Sequence, residues 1–246
     1  MNKITNMLIA AIAIVAISTN VSAGTTSIGV TASIMDVSAS GTETDKLTAA
    51  GANIADTSVR NKSVSDKTAV GSLFAEYTFS DSAWPVSLGF EYTPGTADIS
   101  SKLSRTDSET SITGSAGTSG ISVANSTVRT ASADATNFST AYIEAPIWGM
   151  LYVRAGVSNI DINYVTTDTS TVGGKYTDNI SLTGTNLGVG LKGNTSGGTL
   201  WKMTYEETDY DGFTLNSTGN SVAANSNTIK GDVDTSAFRL SLAKSF

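Results

Sequence analysis

The sequence predicts an all-β fold, an eight-stranded antiparallel up-and-down transmembrane β-barrel with short periplasmic turns and long extracellular loops. Three observations point there. Eight segments alternate apolar and polar residues with a period of two. The connections between them alternate between short and long. On seven of the eight segments the face opposite the apolar residues carries charge, four acidic and four basic side chains in all. A lipid-facing outside around a polar, charge-balanced inside has this pattern.

The first 23 residues read as a cleaved signal peptide, leaving 24–246 as the barrel domain. Lys3 supplies a positive n-region, Met7 to Ile17 an apolar stretch, and Val21-Ser22-Ala23 a small-residue cleavage site before Gly24. The apolar stretch is shorter than the roughly 20 residues a spanning helix needs, and no later segment has such a run. A membrane protein built from the rest must close its sheet, because lipid offers no partner to an open strand edge.

The segments follow in order. The first, Ser27 to Ile34, puts Ile28, Val30, Ala32 and Ile34 on one face. The second carries Leu73, Ala75, Tyr77 and Phe79, and the third Val86, Leu88, Phe90 and Tyr92. The fourth has Ala141, Ile143, Ala145 and Ile147, and the fifth Leu151, Val153, Ala155 and Val157. Leu187, Val189 and Leu191 mark the sixth, Trp201, Met203 and Tyr205 the seventh. The eighth ends on Phe238, Leu240, Leu242 and Phe246. Short connections join two to three (Ser80 to Pro85), four to five (Trp148-Gly149) and six to seven (Gly193 to Gly198). Long ones alternate with them. An even strand count places both termini with the short turns, on the periplasmic side. Trp84, Trp148 and Trp201 then share that end with Phe79 and Phe246, where an interfacial aromatic girdle belongs.

The apolar faces fix the opposite face, which presents Glu76, Glu91, Glu144, Arg154, Lys192, Lys202, Glu206 and Arg239. An eight-stranded barrel is just wide enough for its own side chains to fill it. Across such a lumen, strand two faces six, three faces seven and four faces eight. Glu76 and Glu91 are therefore expected to meet Lys192 and Lys202, and Glu144 to meet Arg239. Glu144 also neighbours Arg154 across the turn, near a register pairing Ile147 with Leu151. Pairing recovers much of the cost of burying these charges. Gly29, Gly89, Gly156, Gly188 and Gly190 share the inner face, and leave room there for long charged side chains.

Composition narrows the chemistry. There is no cysteine and no histidine, so disulfides, the usual general base and the commonest metal ligand are all missing. No enzyme activity and no cofactor are expected. The net charge is −7, and loss of Lys3 makes it one unit more acidic, which argues against nucleic-acid binding. A general porin needs about 16 strands, more than this chain supplies. The first and second long connections, roughly Asp36 to Lys67 and Asp98 to Asp134, are rich in Ser, Thr, Ala, Gly and Asp. The third holds Asn163-Tyr164-Val165 and Gly173-Gly174-Lys175-Tyr176 and is expected to extend strands five and six as a hairpin. The fourth runs from Glu207 to Asp234, and all read as mobile solvated loops. If Ile112 to Val128 pairs into the sheet, ten strands replace eight. Asp209, Asp211, Asp232 and Asp234 form an acidic rim on the last loop. Their spacing does not match a calcium-binding helix–loop–helix, and no metal site is assigned. Contact with divalent ions that bridge lipopolysaccharide phosphates is the other reading of the rim.

The signal, the eight segments and the terminal stretch Phe238-Arg239-Leu240-Ser241-Leu242-Ala243-Lys244-Ser245-Phe246 resemble small bacterial outer-membrane β-barrels of the OmpA-barrel, OmpX and opacity-protein type. The resemblance implies that Phe238, Leu240, Leu242 and Phe246 form a C-terminal assembly signal read by the barrel-insertion machinery. Lys244 departs from that pattern, where an aromatic is usual; a lysine at the membrane rim can snorkel. It also implies location in the bacterial outer membrane, with outer-membrane lipids and lipopolysaccharide as neighbours. The expected role is that of a monomeric, charge-plugged barrel acting structurally or through surface interaction, with a cell-surface or phage ligand reached by the loops. The alternative is a narrow or gated porin-like channel for small solutes or ions. A barrel-embedded lipid enzyme is disfavoured, since such enzymes in similar barrels lean on histidine.

Overall fold

The computed structural model describes residues 24–48, 55–79, 84–113, 121–168, 176, 179–217 and 226–246. The signal reading of residues 1–23 lies outside them. The described residues form nine strands: β1 (Gly24–Thr48), β2 (Ala55–Phe79), β3 (Ser87–Thr113), β4 (Ile121–Trp148), β5 (Leu151–Asp168), β6 (Ile180–Asn194), β7 (Thr199–Tyr210), β8 (Phe213–Asn216) and β9 (Ser226–Ser245). From β1 to β7 each pairs antiparallel with the next along the chain, β7 and β8 both pair with β9, and β9 closes on β1. The short β8 continues β7 along β9. Asp209 pairs with Asp234 and Phe213 with Gly231, so the two pieces differ by a one-residue offset at Asp211-Gly212. The ring therefore has eight staves.

Its stagger follows from the register. The path Ile28, Ala75, Phe90, Ala141, Val157, Thr185, Asp209, Asp234 returns to β1 at Ser38, ten residues from its start. With eight strands about 4.8 Å apart and about 3.3 Å per residue, that climb tilts the strands by about 40°.

Around the short-turn half, the apolar residues point outward. Val30 is 55% exposed, Leu187 59% and Leu242 60%, whereas Ser27, Thr31, Ser72, Ser87 and Ser241 are buried inside. On β9 the outward apolar set runs from Phe238 to Phe246, about 27 Å along the strand and about 20 Å tall at that tilt. This approaches the ~25 Å apolar band of membrane barrels.

Above that belt the alternation inverts. Ile34 points outward, but on the same strand Met35 and Val37 are buried and Ser38 is exposed. Val157 points outward, while Ile160 and Ile162 are buried. Phe238 is exposed; Ala237 and Val233 are buried, and Asp234 and Asp232 face solvent. Met35, Val37, Ala135, Ile160, Ile162, Leu182, Tyr210, Val233 and Ala237 form one apolar cluster inside the ring. A barrel wet on its outside needs this arrangement, so the inversion marks where the surroundings change from lipid to water.

Much of the expected loop length is strand. The β1–β2 ladder reaches Thr48↔Ala55, and β3–β4 reaches Thr113↔Ile121. Of the stretch Ile112 to Val128, the described residues lie in β3 and β4, where Ile112 pairs with Ser122, Thr113 with Ile121 and Val128 with Thr106, and they add no staves. Asn163 and Tyr164 lie in β5 and pair with β4, and the far end of the third connection falls outside the described residues. These hairpins need no core, because backbone ladders satisfy the polar main chain. Parts of all four long connections lie outside the described residues.

Inside the ring, Gly89 is in register with Tyr142, and Gly190 with Tyr152. A Cβ on Gly89 would overlap the Tyr142 ring, and one on Gly190 would sit 2.8 Å from the Tyr152 hydroxyl. These two glycines therefore seat aromatic rings, and not the long charged side chains expected from the sequence. Gly89→Ala is expected to cost about 1–3 kcal/mol by overpacking, read as a shift in the denaturant midpoint. Gly71→Ala, whose Cβ meets only the Thr31 carbonyl at 3.9 Å, should leave the midpoint nearly unchanged.

Candidate functional site

The structure brings all eight inner charged residues into one network. In the layer nearer the short turns, Lys202 reaches Glu76 at 2.6 Å and Glu144 at 2.9 Å. Lys192 reaches Glu144 at 3.2 Å and Glu76 at 3.8 Å. The two lysines are direct cross-strand partners. Like charges in that position repel, and each is offset here by the same two carboxylates. In the second layer Arg239 pairs with both Glu91 and Glu206. Arg154 reaches Glu91 at 3.2 Å and Glu206 at 3.4 Å. Arg154 also lies 3.9 Å from Glu144, its cross-strand partner, and so links the layers.

Each layer holds two carboxylates and two cations. Seven of the eight side chains are almost wholly buried; Lys192 is 17% exposed. An unpaired charge there would cost several kcal/mol, and none of the eight lacks an opposite charge within 4 Å. The Glu76 Oε1, Arg154 Nε and Glu206 Oε2 atoms make no hydrogen bond. They nonetheless face counter-ions, Lys192 for Glu76 and each other for Arg154 and Glu206.

Two pairings differ from the sequence expectation. Glu144 meets the lysines and Arg154, not Arg239. Glu91 meets the arginines, not the lysines. The cause is the ten-residue stagger. Strands that face each other across the ring present residues at different heights, and long side chains reach whichever opposite charge shares their level.

Aromatic rings fill the space between the charges. Tyr142 donates to Glu76 at 3.2 Å, and the Arg154 guanidinium stacks 3.7 Å from its ring centre. Lys202 lies 4.6 Å from the Phe74 ring centre and Lys192 5.3 Å from that of Tyr152. Such contacts are worth about 0.5–2 kcal/mol each. Tyr142 and Tyr152 were legible as partners, since each sits two residues from an inner charge on the same face. Phe74, Leu200 and Ala243 form a small buried apolar cluster beside the layer nearer the short turns. On the other side comes a hydroxyl and amide layer, with Thr140 and Ser158 2.8 Å apart and Asn186 donating to Thr208 at 2.9 Å. The apolar cluster around Ile160 lies beyond it.

The remaining sequence candidates lie at the ring's surface. Phe79, Trp84, Trp148 and Phe246 are exposed at the short-turn end, and Trp201 is half-buried there. The backbone of Phe246 pairs with Thr26 of β1 through bonds of 2.9 and 3.3 Å. Phe238, Leu240 and Leu242 point outward from β9 between β1 and β7. At the opposite rim Asp209 and Asp234 are cross-strand partners. Partial burial, and then the charges of Asp209 and Asp232, raise the Asp234 carboxyl above its ordinary range. Among the described residues no group of three acidic side chains is placed to hold a metal ion. Chemically, the described part of the interior is a set of charged side chains, each offset by an opposite charge.

No family model matches the chain, and no curated protein matches it by sequence. Solved structures with a similar strand arrangement include Ail, the attachment invasion locus protein of Yersinia pestis, in complex with the heparin analogue sucrose octasulfate. It is 14% identical, the match covers 89% of this chain and 99% of that one, and the TM-score is 0.34. The outer membrane protein OprG from Pseudomonas aeruginosa matches at 12% identity over 91% and 96%, with a TM-score of 0.36. The outer membrane protease OmpT from Escherichia coli matches at 9% identity over 89% and 97%, with a TM-score of 0.39. The closed register of the eight staves establishes the fold by itself.

Proposed function

We propose that this protein is an integral outer-membrane barrel whose lumen is sealed by its own charges and which serves as an anchor for tall surface hairpins. The short turns face the periplasm, and the belt between the aromatic end and the phase inversion sits in the bilayer. The observation that carries the reading is the double ion-pair layer. Eight charged side chains cross the lumen, each within 4 Å of an opposite charge. Ion-paired side chains that fill the lumen beneath an apolar cap leave no continuous wet path. The β1–β2 and β3–β4 hairpins continue well past the inversion, and rigidly held surface segments of this kind commonly carry recognition. Outer-membrane lipids, lipopolysaccharide and a cell-surface or phage ligand are the partners this arrangement suits. The barrel-insertion machinery would read Phe238, Leu240, Leu242 and Phe246.

A gated narrow pore is the second reading. Arg154 favours it, because it contacts Glu144 of one layer and Glu91 and Glu206 of the other. Pairs can exchange around it without leaving it alone. Planar-bilayer recording separates the two. The refolded protein is expected to be silent, and Glu76→Gln and Lys192→Gln to add no steady conductance. A small steady conductance in the wild type, altered by either change, would make the charges a gate.

A further inference from the structure

The wall of the ring parts between β2 and β3. Among the described residues the ladder between these strands runs from Thr78↔Ser87 to Leu73↔Tyr92 and stops there. Beyond Tyr92, β2 stays with β1 and β3 with β4. The sequence supplies a reason at the parting point. Pro94 has no N–H to continue a ladder, and Gly95 has φ +102°, a conformation that turns the chain and that side-chain-bearing residues rarely adopt.

A cavity of about 150 Å³ lies at this split, taking one edge from Ala69–Gly71 of β2 and the other from Thr93–Thr96 of β3. Its inner wall includes Met35, Val70, Ala135, Phe138 and Ile160, and no charged side chain lines it. Gly71 and Ala69 are the partners of Ala32 and Ile34, so the mouth is level with the top of the outward apolar belt. A pocket of roughly this volume has room for a molecule the size of benzene.

We infer that this split is a lateral binding site for a small, uncharged, ring-sized apolar molecule that arrives through the outer leaflet. The inference rests on the proposed placement of the belt in the membrane. Three features select the occupant. The mouth faces the belt's edge, where apolar solutes concentrate. The described lining is mostly apolar, with Thr93, Thr96 and Thr136 its polar side chains. The volume suits one ring and not a whole lipid. The ion-pair layers lie on the short-turn side of the pocket, so this is a binding site and not a through-path.

The test uses the protein in lipid nanodiscs with methyl-labelled Met and Ile, and fluorobenzene as the probe. Saturable shifts of the Met35 and Ile160 methyl signals are expected, with distant methyls unmoved. Val70→Trp, which fills the cavity, should abolish them. Val70→Ala, which enlarges it and keeps the variant foldable, should admit naphthalene as well. Shifts that grow linearly with probe and are alike in all three proteins would mean partition into lipid only and would overturn the site. Contacts from lipid chains to Met35 that fluorobenzene does not displace would overturn it in favour of a lipid tail. Conductance is not among these readouts, so the sealed reading and the lateral site fail separately.

Discussion

Replacing Glu91 with glutamine is expected to cost about 3–5 kcal/mol of folding stability. Glu91 is a partner of both Arg154 and Arg239, and it accepts a hydrogen bond from Ser72 as well. Without it, two buried guanidinium groups share Glu206, and the second layer carries an uncompensated positive charge. Arg154 retains Glu144 at 3.9 Å, but Glu144 is already held by two lysines. Removing the excess charge at the same time should recover most of the loss, so Glu91→Gln combined with Arg239→Gln is expected to be more stable than Glu91→Gln alone. That ordering separates burial of an unpaired charge from loss of contacts, because the double variant loses more contacts. Reversible denaturant unfolding from lipid vesicles reads both. A cost below about 1 kcal/mol for Glu91→Gln would mean that water already solvates the charges, as at exposed ion pairs.

The second large effect concerns the belt. Val30→Arg should cost about 2–4 kcal/mol, the penalty for a cation on the lipid face near the bilayer midplane. Ser38→Arg, on the same outward face of the same strand, should cost about 0–1 kcal/mol because it lies past the inversion. In a soluble barrel both positions would be surface sites, and Val30→Arg would be as benign as Ser38→Arg. The contrast between the two variants is therefore more informative than either value.

The belt was legible in the sequence for a simple reason: Ile28, Val30, Ala32 and Ile34 alternate with Ser27, Thr31 and Ser33, and a period of two fixes both faces at once. The same rule exposes the eight charged positions as one face. It does not give their partners, because depth in the lumen depends on the stagger of the staves, which no single strand records. Arg239 and Glu144 illustrate this. They lie on staves that face each other but at different heights, and each finds other partners. The apolar cap was present in the sequence but masked by Asp36, which reads as the start of a loop. Met35 and Val37 continue the alternation on the opposite phase, as Ile160 and Ile162 do on β5, and a change of phase is a signal in its own right. The long hairpins gave no such signal. Their Ser- and Thr-rich stretches carry little apolar alternation, and their order comes from main-chain ladders that composition does not encode.

The most direct measurement is a cysteine scan along β1 from Ser27 to Ser38, made simple by the absence of native cysteine. Each variant is inserted in vesicles and tested for quenching of an attached fluorophore by brominated lipid and for reaction with a water-soluble maleimide. Positions 28, 30, 32 and 34 are expected to be quenched by lipid, position 38 to react from water, and positions 31, 33, 35 and 37 to do neither. Positions 31 and 33 reacting as fast as position 38 would reveal a water-filled lumen and contradict the sealed barrel.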